Sequence, residues 1–349
     1  MISTTAIVTP SAGAKFETRT VEHRDLRDDD VLIDVKFAGI CHSDIHQVRE
    51  EWGSAIFPMV PGHEIAGVVS AVGSAVTKHK VGDRVGVGCM VDSCGECEFC
   101  KDGEEQFCTK GAVMTYNGKG YDGEPTKGGY AQNVVVSERF AVAIPDGIDL
   151  DVAAPLLCAG ITTWSPLKRW GAGPGRTVAV IGLGGLGHMA VKIAAAMGAE
   201  VSVLSRTDAK KGDAESLGAT HFHATGEDGV LKELRSSFDI IINTVSADLP
   251  MQDYVGLLKP LGVMANVGLP SGNYDFAPGA LIGRSRVVAG SNIGGIPATA
   301  EMLAFCAEHG IGATVETISA DEVDAAYDRV VDGDVRYRFV IDTSTIDAA

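Results

Sequence analysis

Residues 177–187 read TVAVIGLGGLG, an apolar run that continues directly into closely spaced glycines. The run Thr177–Ile181 is rich in apolar and β-branched residues and predicts a buried strand. The residues beyond the glycines predict a helix over His188–Met197 and a second strand over Glu200–Leu204. A G-x-G-x-x-G motif between a strand and a helix, within a βαβ unit of about 30 residues, predicts a dinucleotide-binding turn.

Three glycines of this turn have separate expected tasks. Gly182 permits the tight turn, Gly184 lets the backbone approach a pyrophosphate, and Gly187 lets helix and strand pack closely. The N-terminus of the following helix attracts the phosphate charge. The residues expected to contact the cofactor here are Gly182, Leu183, Gly184, Gly185, Leu186 and Gly187.

Further strands alternate with helical segments beyond this unit. They are predicted over Phe238–Thr244, Leu261–Val267 and Val287–Gly290. Such alternation indicates a doubly wound parallel sheet. The alternative is a glycine-rich turn in an unrelated α/β domain.

The end of the second strand distinguishes the two nicotinamide cofactors. An acidic residue there would bind the ribose 2′-hydroxyl of NAD(H) and repel a 2′-phosphate. The sequence has Ser205, Arg206 and Thr207 instead, followed by Lys210. Because hydroxyls and cations suit a phosphate, the sequence predicts NADP(H) over NAD(H).

Composition limits the class of protein. The 349 residues exceed one typical domain, and 45% hydrophobic against 21% charged residues allow sizeable cores. The formal charge of −17 argues against nucleic-acid binding and against docking on anionic membranes. Neither a signal peptide nor a membrane-spanning apolar run is evident. We therefore expect a soluble, cytoplasmic protein that binds neither nucleic acid nor membranes.

The N-terminal half, residues 5–145, consists of short β-like runs separated by Gly, Pro and Asp. Strands are predicted over Val31–Phe37, Ile65–Val72, Asp83–Gly88 and Tyr130–Val136. This half therefore predicts a compact, mostly antiparallel β domain.

Four of the eight cysteines form the most specific motif of this half, Cys94-x2-Cys97-x2-Cys100-x7-Cys108. Four closely spaced thiolates predict a closed, structural zinc site. An iron–sulfur cluster is the rival, but the bacterial ferredoxin run ends with a three-residue gap and a following Pro. Here the last gap is seven residues and Thr109 follows. Clustered cysteines in a cytosolic chain indicate metal rather than disulfides.

A second set of metal-binding residue types is spread along the chain. GICHSD at 39–44 holds Cys41, PGHE at 61–64 holds His63, and LLCAG at 156–160 holds Cys158. Two Cys and one His are the ligands of a catalytic zinc in one class of dehydrogenase, with the fourth position open. We predict that these three residues bind such a zinc; the alternative for each, taken singly, is a buried and inert side chain.

Together these motifs resemble the zinc-dependent medium-chain alcohol dehydrogenases, and more closely the cinnamyl-alcohol-dehydrogenase-like group that includes bacterial NADP(H)-dependent aldehyde reductases. The resemblance extends over nearly the whole chain, through GICHSD, PGHE, the four-cysteine lobe, LLCAGITTW, GLGGLG and Gly290–Gly294. It implies a β-rich, chaperonin-10-like catalytic domain of residues 1–153 and 294–349, with a Rossmann domain, residues 154–293, inserted. It also implies two zinc ions per chain, a catalytic zinc in the interdomain cleft and a homodimer.

The resemblance further implies roles around the catalytic zinc. Glu64 approaches the metal when water or product exchanges, and Asp44 orients a ligand imidazole. Ser43 hands a proton to the substrate oxygen, and His46 forms the solvent end of that relay. The positions matched near the cofactor are His42, Thr162, Ser291, Asn292 and Ile293.

The implied reaction is hydride transfer between NADP(H) and an aldehyde or primary alcohol. Plant lignin-pathway members carry a Trp where the alignment places Met114, which favours a broad apolar pocket over a dedicated cinnamyl site. Its candidate lining residues are Trp52, Phe57, Met90 and Met114. The alternatives are an NAD(H)-dependent polyol or alcohol dehydrogenase of the same superfamily, and a catalytically silent NADP(H)-binding protein.

Overall fold

The computed structural model describes residues 1–270 and 272–347. The chain divides into two compact units. One, which we call the β-rich unit, comprises Met1–Cys158 and Gly294–Ala349; the other, the inserted unit, comprises Ala159–Ile293.

The strands are numbered in chain order. They are β1 (Ile2–Val8), β2 (Glu17–His23), β3 (Asp30–Gly39), β4 (Ile65–Val72), β5 (Arg84–Val87), β6 (Met90–Asp92), β7 (Val113–Met114), β8 (Asn133–Ser137), β9 (Val142–Ala143), β10 (Thr177–Ile181), β11 (Glu200–Ser205), β12 (His221–Ala224), β13 (Phe238–Asn243), β14 (Leu258–Asn266), β15 (Val287–Gly290), β16 (Val315–Ile318) and β17 (Arg338–Asp342).

The α-helices are numbered in the same way. They are α1 (His42–Val48), α2 (Glu98–Lys101), α3 (Leu150–Ala153), α4 (Ala159–Arg169), α5 (Gly185–Ala196), α6 (Lys211–Ser216), α7 (Val230–Glu233), α8 (Met251–Gly256), α9 (Gly279–Ile282), α10 (Ile296–Glu308) and α11 (Val323–Asp332). Among the described residues no single helix has the length and apolarity to cross a membrane; one bent pair, Leu150–Leu157 followed by Ala159–Arg169, meets those two criteria jointly.

The β-rich unit is built on a seven-stranded sheet of order β16-β17-β3-β4-β5-β9, with β8 also paired to β3. All its pairings are antiparallel except that of β16 with β17. Along β3 the alternate residues Val31, Ile33 and Val35 are buried, as a half-covered strand requires. The mostly antiparallel β fold predicted for this part of the chain is therefore confirmed. The hairpin of β1 with β2 and the C-terminal strands β16 and β17 were not predicted.

The C-terminal segment returns to the centre of this sheet. β17 pairs with β3, so that Val340 lies opposite Gly39. Helix α11 follows β16; its buried residues Val323, Ala326 and Tyr327 recur at the spacing of one helix face. This return brings residues from the end of the chain next to the strand that leads into Cys41.

The inserted unit has a six-stranded parallel sheet of order β12-β11-β10-β13-β14-β15. Counted within the unit, this is the order 3-2-1-4-5-6 of a dinucleotide-binding fold. Val178 and Ile240–Ile242 at the sheet centre have no exposed surface, which explains their continuous apolar runs. The predicted doubly wound sheet is confirmed. Five of its strands were predicted, with ends that differ from the observed ones by a few residues at most, and β12 was not predicted.

The first boundary between the units follows Cys158 rather than residue 153, where the sequence analysis placed it. The reason is local packing. Residues Ala154–Leu157 form a 3-10 turn whose Leu157 lies against Gly86 of β5 and Gly88, closely enough that a side-chain carbon at either glycine would collide with it. This turn therefore packs with the β-rich sheet.

Candidate active site

Four residues from three separate stretches of the sequence meet inside the β-rich unit. The ligand atoms of Cys41, His63, Glu64 and Cys158 all lie within 4.8 Å of one another, and all four side chains are buried. The sulfur of Cys158 lies 3.9 Å from that of Cys41 and 3.3 Å from Nε2 of His63. The structure thus brings together the three predicted zinc ligands and Glu64.

Local backbone structure places these side chains. Cys41 follows β3 and is the N-cap of α1, and His63 lies two residues before β4. The two strands are joined here by a hydrogen bond from the Gly39 amide to the Glu64 carbonyl (2.8 Å). Cys158 ends the 3-10 turn that packs on β5. Neighbouring antiparallel strands and one tight turn therefore supply all four groups.

Asp44 ties two of the candidate ligands together. Its Oδ2 accepts a hydrogen bond from the Cys41 amide (2.8 Å), and its Oδ1 lies 3.0 Å from Nδ1 of His63. A carboxylate only accepts, so Nδ1 carries the proton and Nε2 faces the thiols. Burial lowers the pKa of His63, but the charge and hydrogen bond of Asp44 outweigh it and raise this pKa well above its usual range. Asp44 therefore favours positive charge on the His63 ring, and a cation bound at Nε2 would supply such a charge.

The surroundings of Cys41 also favour its negatively charged thiolate, which attracts a cation. A hydrogen bond from Cys158 lowers the pKa of Cys41 well below its usual range, and the charge of Arg338 adds to the effect although burial opposes it. A thiolate is the form of cysteine that binds metal.

Glu64 is a carboxylate with no exposed surface and incomplete pairing. The guanidinium of Arg338 lies 3.4 Å from its Oε1, yet within the described residues neither carboxylate oxygen accepts a hydrogen bond. Burial raises the pKa of Glu64 to about 8, against the opposing charge of Arg338. Gly39 makes room for this side chain, since a side-chain carbon at Gly39 would overlap it.

These features fit a zinc ion. Two thiols and an imidazole nitrogen are the donor set of a catalytic zinc site that keeps one open position. The nearby oxygens of Glu64, which accept no hydrogen bond within the described residues, and the preference for positive charge at Nε2 of His63 point to a cation among them.

The residues predicted for proton transfer line α1. Ser43 is partly exposed, and its hydroxyl oxygen lies 3.6 Å from the Cys41 sulfur. His46, one helical turn further, is partly exposed, pairs with Glu51 and stacks on Trp52 at 4.6 Å between ring centres. His42 lies beside it at 5.1 Å between ring centres. Ser43 and His46 of α1 thus extend from the thiol cluster toward solvent.

The other predicted pocket residues have mixed surroundings. Met90 is buried and pairs with Met114 across β6 and β7, whereas Met114 is 46% exposed. Phe57 packs against the core that contains Ile45. Trp52 is 44% exposed and contacts His46. That these four side chains line one pocket stays a prediction.

The four cysteines of the segment 94–108, which we call the lobe, also lie close together. The sulfurs of Cys94, Cys97, Cys100 and Cys108 all lie within 4.8 Å of one another. Cys100 lies 3.4 Å from Cys97 and 3.9 Å from Cys94, too far for a covalent bond. Backbone amides donate to these sulfurs, and such hydrogen bonds lower the pKa of Cys97 to about 6. The donor set fits a closed, all-cysteine zinc site.

The glycine-rich turn of the inserted unit has the expected geometry. Gly182 has a φ of 87°, a conformation that favours glycine. A side-chain carbon at Gly187 would collide with the carbonyl oxygen of Gly182, so helix and turn pack in direct contact. One at Gly184 would meet nothing within 4 Å. The turn therefore leaves open space beside Gly184, in front of the N-terminus of α5, where a pyrophosphate fits.

The residues predicted to select the cofactor lie after β11. Ser205 is partly exposed, and Arg206 and Thr207 are exposed. The amino group of Lys210 donates to the carbonyl of Leu183 (2.9 Å), which joins this segment to the glycine-rich turn. Asp208 begins the 3-10 turn Asp208–Lys210 and lies beyond the strand end.

The remaining predicted cofactor residues lie at the ends of the inserted unit. Thr162 is buried in α4 near its beginning. Ser291, whose amide bonds to Asn266 (3.1 Å), is followed by Asn292 and by Ile293, which has a φ of 33°. Their contacts with a cofactor stay predictions.

Sequence reasoning missed several residues around the metal site. Arg338 pairs with Glu64, Tyr130 donates to Asp44, and the buried thiol of Cys89 contributes to raising the pKa of Cys158. None of them belongs to a motif with metal-ligand spacing. Only their burial beside the cluster identifies them, and burial of a single Arg or Tyr is not encoded locally.

Comparisons with known proteins agree with this arrangement. Residues 27–146 match the family model of the alcohol dehydrogenase GroES-like domain, and residues 185–343 match that of zinc-binding dehydrogenases. A probable formaldehyde dehydrogenase, AdhA, from Bacillus subtilis is 59% identical over 335 residues, which is 96% of each chain. The NADP-dependent alcohol dehydrogenase C 1 of Mycolicibacterium smegmatis is 54% identical over 347 residues, 99% of each chain. The crystal structure of CAD from Helicobacter pylori complexed with NADP(H) is 43% identical, with a TM-score of 0.92 over 98% of this chain and 99% of that one.

Proposed function

Because this chain belongs to the zinc-binding alcohol dehydrogenase family with a GroES-like domain, we propose that it transfers a hydride between NADP(H) and an aldehyde or primary alcohol. The observation that supports this most directly is the buried cluster of Cys41, His63 and Cys158, with Glu64 beside it. Reduction of aldehydes across a broad range is the proposed main activity. Relatives named as formaldehyde and alcohol dehydrogenases support this choice.

The two cofactors would supply the electrophile and the hydride. Cys41, His63 and Cys158 would hold the zinc, which would supply a Lewis acid for a carbonyl oxygen, and the glycine-rich turn would hold NADP(H), which would supply the hydride. Asp44 keeps the His63 imidazole in the tautomer that directs Nε2 at the cluster. The remaining catalytic tasks fall to proton-transferring side chains.

Ser43 is proposed to donate a proton to the substrate oxygen. Its hydroxyl lies next to the Cys41 sulfur, on the exposed side of the cluster. His46, which is partly exposed, would exchange that proton with solvent. Trp52 stacks on His46 and would fix the orientation of the ring. Glu64 is proposed to act as an additional oxygen ligand when product leaves.

The cofactor preference is proposed to arise after β11. Arg206, with Ser205, Thr207 and Lys210, would bind a 2′-phosphate. The relative from Mycolicibacterium smegmatis is named as NADP-dependent, which supports this proposal. Replacing Arg206 by Asp should shift the ratio of kcat/KM values toward NAD(H). The same change at Lys232, an exposed cation of α7, should leave the ratio unchanged.

A homodimer in the cytoplasm is also part of the proposal. β15 is an edge strand, and beside it Leu261 and Ile282 are 78% and 76% exposed. An exposed apolar sheet edge is suited to pairing with a second copy. Ile282→Lys should shift the mass in solution from dimer to monomer, whereas Val331→Lys on α11 should not. The free state of all eight cysteines fits a reducing compartment.

One set of measurements tests the proposed activity. Initial rates with NADPH and with NADH would be compared over aliphatic and aromatic aldehydes, alongside a metal count. We expect turnover mainly with NADPH and two zinc ions per chain. Cys41→Ser should abolish turnover and remove one zinc, while Cys306→Ser, at a buried thiol remote from both clusters, should change neither. Preference for NADH with polyols, or cofactor binding without any turnover, would contradict the proposal.

A further inference from the structure

We infer that two buried tyrosines, Tyr130 and Tyr327, are positioning residues for the zinc ligand His63, acting through the carboxylate of Asp44. The inference rests on the zinc centre proposed above. It assigns a task to the C-terminal helix α11, which carries Tyr327 and supplies none of the metal ligands.

The two hydroxyls form a directed chain of hydrogen bonds. Tyr327 donates to the hydroxyl oxygen of Tyr130 (3.3 Å), and Tyr130 donates to Oδ2 of Asp44 (3.2 Å). The other oxygen of Asp44 accepts from Nδ1 of His63 (3.0 Å). Each hydroxyl that donates while accepting strengthens the next bond in such a chain. The chain therefore runs without interruption from α11 to the metal ligand.

Asp44 needs these donors because it has no exposed surface. A buried carboxylate without hydrogen-bond partners is costly. The Cys41 amide and the Tyr130 hydroxyl both donate to Oδ2, which leaves Oδ1 directed at His63. Loss of the Tyr130 hydroxyl removes one of the donors that hold Oδ2, while the Cys41 amide remains. The carboxylate is then held less firmly, and the orientation of the imidazole is less fixed.

The ring and the hydroxyl of Tyr130 have separate tasks. The ring packs on Gly62, the residue before His63, and a side-chain carbon at Gly62 would lie 2.5 Å from a ring carbon. Backbone hydrogen bonds from Gly129 to Gly62 and from Tyr130 to Pro61 hold this contact. Tyr130→Phe keeps the ring and these backbone bonds and removes only the hydroxyl. The substitution therefore isolates the chain of hydrogen bonds from simple packing.

The test uses the full zinc-loaded protein and a chromogenic chelator. Release of zinc is followed in the unmodified protein, Tyr130→Phe, Tyr327→Phe, Asp44→Asn and the double variant Tyr130→Phe with Asp44→Asn. Cys41→Ser identifies which zinc belongs to the candidate active site. The matched control is Tyr254→Phe, at a buried tyrosine of the inserted unit whose hydroxyl bonds to Thr225. Tyr116, which stacks on His63, is left unchanged throughout.

We expect Tyr130→Phe to weaken zinc binding at the active site about tenfold, within the range measured for groups that orient a ligand. Tyr327→Phe should weaken it by a smaller factor, and Tyr254→Phe should not. Zinc in the four-cysteine lobe should be unaffected. In the Asp44→Asn background, the Tyr130→Phe change should have less than about a twofold effect, because residues acting through one another are not additive. Absorption of the cobalt-substituted protein should shift in the same variants.

Two results would overturn the inference alone. One is equal zinc affinity in Tyr130→Phe and Tyr254→Phe, and the other is a full-sized Tyr130→Phe effect in the Asp44→Asn background. An unmodified protein that binds zinc only at the lobe, as Cys41→Ser does, would instead overturn the proposed function.

Discussion

The guanidinium of Arg338 lies 3.4 Å from Oε1 of Glu64, and both side chains are almost completely excluded from solvent. Arg338 also donates to the carbonyl of Ile40 (3.1 Å), directly before the proposed ligand Cys41. Replacing Arg338 by Met removes the only basic side chain paired with this carboxylate in the described structure. Breaking a buried pair in this way typically destabilises by about 3–5 kcal/mol, and we expect a corresponding fall in the thermal unfolding midpoint.

Two further variants identify the cause of that loss. The double variant Arg338→Met with Glu64→Gln removes both charges and should recover most of the stability. Arg329→Met is the matched control, because its ion pairs with Glu316 and Asp334 are exposed and contribute less than about 1 kcal/mol. Equal destabilisation at the two arginines would show that the burial of the Glu64 pair is not what matters.

Two substitutions in the glycine-rich turn should have different effects, one on stability and the other on cofactor binding. Gly187→Ala places a methyl group against the Gly182 carbonyl, so we expect a loss of about 1–3 kcal/mol in stability. Gly184→Ala adds its methyl to open space. It should keep the unfolding midpoint and weaken NADPH binding at least tenfold, as followed by fluorescence titration. Unchanged NADPH affinity in Gly184→Ala would place the phosphate elsewhere.

Motifs made the inserted unit and the clusters of candidate zinc ligands predictable. Gly182, Gly184 and Gly187 are required by backbone geometry within one turn, and the four lobe cysteines are close in sequence, so both signals are local. The family suggested by these motifs is confirmed by the matching relatives and family models. The roles of individual site residues stay predictions until they are measured.

The partners of the ligands could not be predicted in the same way. Tyr327 reaches Asp44 through Tyr130, and Arg338 reaches Glu64, only because the C-terminal strand pairs with β3. No periodicity in the sequence encodes that pairing. The hairpin of β1 and β2 was missed for a related reason, since its charged and largely exposed second strand gives no alternating pattern.

Removal of the metal from the four-cysteine lobe should lower the free energy of unfolding. Without a cation the four sulfurs, which lie within 4.8 Å of one another, cannot all carry a negative charge, and burial raises the pKa of Cys100 to about 11. We expect Cys100→Ser to lower the unfolding midpoint by on the order of 10 °C, because several kcal/mol of metal binding are lost. Cys306→Ser, at a buried thiol outside the cluster, is the control. If a chelator removes the zinc from the four-cysteine site and the unfolding midpoint does not change, that result would argue against a structural role for the site.

The last prediction concerns pH and a residue remote from the metal sites. Burial, with the charges of Lys127 and Arg24, lowers the pKa of His23 to about 4, although its bond to the Asn133 carbonyl opposes the shift. Below the usual pKa of 6.5 the unfolded chain therefore binds a proton that the folded chain does not, and stability is lost as pH falls from about 6.5 toward 4. His23→Gln keeps a donor for that carbonyl and removes the titration. Between pH 7.5 and 5 the unmodified protein should lose roughly 2 kcal/mol more stability than His23→Gln. Chemical unfolding at both pH values measures the difference, since metal-binding thiols titrate alike in the two proteins. His309→Gln, at an exposed histidine, should follow the unmodified protein; a parallel loss in His23→Gln would mean that His23 is protonated in the folded state.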